Sequence, residues 1–144
     1  MTLDQKNLQI QTKGEPKVLI ISTQACSYPG IDNAGQKHID YPVYTYVIRV
    51  PDPIIFPIEF YEEVFEMGYT GIFIASCGTD SPFKNTFPRL SKRIDKLVEI
   101  LKTKGIHHSQ IKLTAVCTVC AEHFVKELTE FYEGLQEIPN IDVN

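Results

Sequence analysis

Long apolar runs are absent from this sequence: none approaches the roughly 18 consecutive residues that a membrane-spanning helix needs. Nor does the polar stretch Met1 to Lys13 hold the apolar core of a secretory signal peptide, so the protein is expected in the cytoplasm without membrane contact. Positive charge is not in excess either. With a formal net charge of -4 the chain offers no general attraction to nucleic acid, and a protein or small-molecule partner is expected instead. Phosphate-binding motifs are missing as well: no G-x-G-x-x-G or Walker pattern occurs, and Ser22-Thr23-Gln24-Ala25 lacks the glycines that bring backbone close to a phosphate. Acidic residues do not stand at Ser22 or Ser76-Cys77, which removes a response regulator. No arginine closely follows Cys26 or Cys77, which removes phosphatase-like chemistry. Repeats and low-complexity tracts are absent, and no catalytic triad can be assembled.

What is present is an ordinary globular composition: 144 residues, 43% hydrophobic and 22% charged, enough for one domain with its own core. Residues 1–16 are polar and are expected as an N-terminal arm, with residues 17–144 forming the domain. Val18 to Ile21 is an unbroken aliphatic run, which suits a central strand buried on both faces. Val43 to Val50 alternates β-branched and aromatic residues and predicts a second strand, stopped by Pro51-Asp52-Pro53. A helix follows from about Pro57 to Met67, with Phe60, Val64 and Met67 on one face and Gly68 as its stop. Gly71 to Ser76 repeats the first strand's pattern, and Ile111 to Val116 supplies the fourth. Between them a helix from about Pro88 to Thr103 turns Leu90, Ile94, Leu97, Val98 and Leu101 inward. The last helix runs from Cys120 to about Ile138, burying Phe124, Leu128, Phe131 and Leu135 and showing Glu122, Glu127, Glu130, Glu133 and Glu137 to water. This alternation implies a flavodoxin-like α/β domain: an open parallel sheet in the order 2-1-3-4 with helices on both faces.

The chain has four cysteines, and their placement is the main functional signal. The four cysteines, Cys26, Cys77, Cys117 and Cys120, all follow the carboxyl ends of predicted strands, so a parallel sheet brings them to one rim. A cysteine is also a small hydrophobe that is often buried near strands, and that is the competing reading. Four thiolates on one rim would complete the shell of a [2Fe-2S] or [4Fe-4S] centre or of zinc. Cys117-x-x-Cys120 is the local anchor, since a two-residue spacer lets both sulfurs reach one metal. The same pair at a helix start also suits a redox dithiol, whose pKa the helix dipole would lower. His107-His108 falls in a polar turn, while His38 and His123 lie nearer the rim as back-up ligands whose expected role is at the surface.

The order Cys26-Ser27-Tyr28-x-Gly30-x-Asp32-x-Ala34-Gly35, Tyr41-Pro42, Ile48-Arg49-Val50, Gly68-x-x-Gly71-Ile72 leading to Cys77, and Arg89-Leu90-x-x-Arg93-Ile94 resembles the delta subunit of methyl-viologen-reducing hydrogenase over residues 17–136. The resemblance implies a [2Fe-2S] subunit that passes electrons between a hydrogenase or formate dehydrogenase and the flavin-containing subunit of heterodisulfide reductase. It implies electron transfer without substrate turnover. In that pattern cysteines stand where this chain has Thr23, Asp52 and Pro82, whereas Cys117 and Cys120 are additional. The expected ligands are therefore Cys26, Cys77, Cys117 and Cys120. The alternatives are a cluster-free adaptor in a redox complex, and a thiol oxidoreductase or sulfur carrier using Cys117 and Cys120. Lys84, Arg89, Lys92, Arg93 and Lys96 form a basic run relieved by Asp95, which reads as a solvated helix face or as a docking patch for an acidic partner. Phe83 and Phe87 in the same stretch are candidate interface anchors.

Overall fold

The computed structural model describes residues 16–24, 45–77, 85–116 and 121–138. The expected arm at 1–16 lies outside these residues except for Pro16. Strand β1 (Val18–Thr23) is buried at every position, as its aliphatic run requires. It pairs in parallel with β2 (Thr45–Val50) on one side and β3 (Gly71–Ser76) on the other, and β3 pairs in parallel with β4 (Ile111–Ala115). Among the described residues the sheet therefore has four strands in the order β2-β1-β3-β4, the predicted topology.

Among the described residues three helices cover the two faces: α1 (Ile58–Glu66), α2 (Thr86–Thr103) and α3 (Ala121–Glu137). Side chains alternate across a strand, so register decides which residues share a core. Leu19 opposite Ile72 and Ile21 opposite Ile74 meet Tyr61 and Val64 of α1 and Leu90, Ile94, Leu97 and Leu101 of α2. On the other face Val18, Ile20 and Phe73 meet Phe124, Leu128, Phe131 and Leu135 of α3. All four inward residues predicted for α3 are buried. Gly68 and Gly105 take positive φ angles of 99° and 82° just past α1 and α2, the left-handed stop that glycine supplies without a Cβ clash.

Several local expectations change. Helix α1 buries Tyr61 and Val64, while Met67, placed at its C-terminal cap, is 70% exposed. Phe60 turns partly outward and stacks on Phe56 at 3.9 Å between ring centres. Helix α2 begins at Thr86, two residues before Pro88, because the first turn has no intrahelical partner for a backbone N–H and so tolerates proline. Val98 is only half-buried. Glu127 is half-buried too, drawn back onto the sheet by Lys112 of β4 at 2.6 Å. No helix among the described residues is long and apolar enough to cross a membrane.

Candidate functional site

The carboxyl edge of the sheet is a row of small polar residues closed from below. Ser22 and Thr23 are fully buried; Ser22 Oγ donates to the Ile48 carbonyl at 2.8 Å and Thr23 Oγ1 to the Ala75 carbonyl at 3.1 Å. Each hydroxyl thereby binds β1 to a neighbouring strand. Beside them, Cys77 follows β3 directly, is 6% exposed and is disulfide-bonded. Cys77 thus stands at the rim, with a second cysteine sulfur joined to its own.

Cys26, Cys117 and Cys120 lie outside the described residues. What is fixed is where the chain leaves for each of them. The Gln24 N–H donates to the Val50 carbonyl at 2.8 Å, so the ladder runs to within two residues of Cys26. The Val116 N–H donates to the Ser76 carbonyl at 2.9 Å, one residue before Cys117. Helix α3 opens at Ala121, immediately after Cys120, and its far end packs Phe131 and Leu135 over Gly71 at the start of β3. Its first turn therefore returns to the carboxyl edge. In sequence, all four cysteines fall at or within two residues of chain ends that leave or meet this edge.

Two of the four histidines do not join it. His107 and His108 precede β4 at the opposite, amino edge, with their rings 4.3 Å apart and the His107 imidazole accepting the Ser109 N–H. His123 Nε2 lies 3.7 Å from Glu127 Oε1 on α3, and His38 is outside the described residues. No cluster of three or more metal-ligating side chains forms among the described residues.

Next to the rim, Asp52 is 3% exposed, and its Oδ1 accepts the Ile54 N–H at 2.9 Å, capping a 3-10 turn at Pro53–Ile55. An aspartate followed by proline is a capping signature, so this role was readable in Pro51-Asp52-Pro53. Arg93 was not readable. Instead of facing water with the basic run, its guanidinium Nη1 donates to the carbonyls of Ile54 and Phe56 at 2.6 and 2.8 Å. Arg89, Lys92 and Lys96 remain exposed, Phe87 is half-buried, and Lys84 and Phe83 are outside the described residues. Behind this turn Tyr61 is buried, and the loss of water holds its phenol well above the usual tyrosine range; the Arg93 charge offsets this in part and Asp52 adds to it.

Residues 18–139 match the family model described as methyl-viologen-reducing hydrogenase, delta subunit. The chain belongs to this family. Among its relatives, an iron-sulfur protein of the F420-non-reducing hydrogenase of Archaeoglobus profundus is 27% identical over 86% of this chain and 91% of its own length. The corresponding iron-sulfur protein of the vhc F420-non-reducing hydrogenase of Methanococcus voltae is 24% identical over 85% of each chain. One component of the ferredoxin:CoB-CoM heterodisulfide reductase of Methanosarcina mazei is 30% identical over 85% of this chain, which spans only 16% of that much longer protein.

Proposed function

We propose that this chain is a small electron-transfer subunit that relays electrons between a hydrogenase or formate dehydrogenase and the flavin-containing subunit of a heterodisulfide reductase. In this reading an iron-sulfur cluster is held by Cys26, Cys77, Cys117 and Cys120. The observation that carries it is Cys77, a nearly buried cysteine at the carboxyl end of a central strand, whose disulfide would on two-electron reduction by an external thiol or dithionite leave two thiolates side by side. Soft donors converging at one sheet edge fit a thiolate-bound [2Fe-2S] centre, with a [4Fe-4S] centre or zinc drawing on the same ligand type. Thr23 and Asp52 do not compete for the role, because the Thr23 hydroxyl and one Asp52 oxygen are already engaged with backbone. When bound, such a cluster supplies a one-electron carrier. The protein's part is to hold the ligands on a rigid edge and, through the buried Ser22, Thr23 and Ser76, to keep water from reaching Cys77 from below. Family membership and the names of the hydrogenase and heterodisulfide reductase relatives support the choice of partners.

A second reading has its own support in the disulfide at Cys77. Two thiols that join and separate at this rim would carry two electrons and two protons per cycle without metal, as in a thiol oxidoreductase. The deciding assay mixes hydrogenase under hydrogen, this chain and the heterodisulfide reductase flavin subunit, and follows flavin reduction. Reduction should depend on this chain and fall at least about a hundredfold with Cys77→Ser, since a hard oxygen replaces a soft ligand. Flavin reduction that proceeds equally well without the chain contradicts the relay.

A further inference from the structure

Four large apolar side chains are strongly exposed among the described residues: Tyr46, Ile55, Met67 and Ile100. Three of them lie away from the candidate site. Tyr46 is near the start of β2, Met67 caps the far end of α1, and Ile100 is in the last turns of α2, all toward the amino edge. Ile55 alone stands on the carboxyl side, in the turn that follows β2, and it is 56% exposed.

The backbone around Ile55 is held unusually firmly for an exposed turn. Arg93 ties the carbonyls on either side of it, those of Ile54 and Phe56, with one guanidinium nitrogen. The Asp52 carboxylate fixes the turn's start, Pro53 and Pro57 restrict the backbone at both ends, and Phe56 is stacked on Phe60. Bonds to a charged donor are stronger than neutral ones, so two of them from a partly buried arginine are a costly way to support a turn that does nothing. Their effect is to present one apolar side chain in one place. Preorganised apolar anchors of this kind lose little entropy on binding and tend to dominate interface energetics.

The charges around the knuckle define what it fits. Arg89 lies one helical turn before Arg93 on α2, and Lys92 and Lys96 are exposed on the same helix. Carboxylates are fewer in the adjoining stretches, with Glu59 in the first turn of α1 and Asp95 between Lys92 and Lys96 on α2. We propose that Ile55 is the anchor of a docking surface whose occupant is a protein carrying an apolar socket rimmed by carboxylates. Docking there would set a redox partner against the same sheet edge that carries Cys77. The choice of probe rests on the relay reading, and the heterodisulfide reductase flavin subunit is used because a segment similar to this chain is covalently part of the Methanosarcina mazei heterodisulfide reductase component.

The experiment measures binding of the full chain to that flavin subunit by surface plasmon resonance at several salt concentrations. Ile55→Asp should weaken binding about tenfold or more through faster dissociation, while circular dichroism and the iron and thiol content stay as in the parent. Ile55→Ala, which introduces no charge, should weaken it in the same direction. Arg89→Glu with Lys92→Glu should slow association at low salt and lose its effect at high salt. Binding that is identical for the parent chain and both Ile55 variants overturns the anchor and leaves the relay standing. No binding by the parent chain overturns both. An effect of Ile55→Asp on self-association, with flavin-subunit binding unchanged, would assign the knuckle to a second copy of this chain and overturn the proposal as stated.

Discussion

Tyr61 shows at the scale of one residue how this core trades polarity for packing. Its ring meets Phe56 and Phe60 edge-on, and its hydroxyl is buried with no hydrogen-bond partner among the described residues. Because burial raises the phenol pKa, folding favours the protonated form. That contribution is complete below the ordinary tyrosine value of about 10 and is lost as pH rises from there through the raised value. Following phenolate absorbance, at least one of the seven tyrosines should ionise only as the fold opens, and Tyr61→Phe should remove this late step without lowering the melting temperature at neutral pH. Ionisation of all tyrosines near the ordinary value in folded protein contradicts this. Arg93 marks the limit of what residues alone disclose. Its partners are 37 and 39 positions away, so its place in a basic run resembles that of Arg89, which stays exposed. Asp52 was more legible, since aspartate before proline carries a local capping preference.

At the scale of elements, legibility followed continuity of the apolar pattern. Strands β1 and β3 are buried on both faces, and helix α3 keeps its stripe over four turns, so each could be read directly. Met67 was misassigned because a periodic pattern does not say where a helix ends, and α1 stops one residue before it. Helix α3 approaches β3 closely at Gly71. A Cβ built there would lie 2.7 Å from Leu135 Cδ1 and 2.9 Å from Phe131 Cζ, both buried ends of α3 side chains. Gly71→Ala should therefore cost about 1–3 kcal/mol in urea unfolding, because α3 must move off the sheet to admit a methyl group. A stability change near zero would mean that Leu135 and Phe131 can turn aside. Acid should loosen the same face. The hydrogen bond from Lys112, aided by its charge and those of His123 and Lys126, holds Glu127 below the usual carboxylate range. That support is present above the ordinary glutamate value and lost as pH falls through the lowered one.

For the whole molecule, the parallel order of strands is what relates chain ends that are almost a hundred residues apart. Cys26 and Cys120 are remote in sequence, yet in a parallel sheet in the order β2-β1-β3-β4 the described chain nearest each cysteine, at Gln24, Cys77, Val116 and Ala121, comes to the same edge. The placement of Cys77 and of these chain ends was legible for that reason. Ligation was not, because it depends on side-chain approach beyond the strand ends, and there the described residues fix Cys77 alone. The central proposal is electron transfer through thiolate-bound iron; family membership supports its electron-transfer part. The most direct test is the iron and acid-labile sulfide content and visible spectrum of the full chain prepared or reconstituted without oxygen. The account predicts iron and sulfide together in a brown protein whose charge-transfer bands bleach with dithionite, and their loss in Cys117→Ser and Cys120→Ser. A colourless protein without iron or sulfide, in which four thiols titrate after reduction, would contradict it.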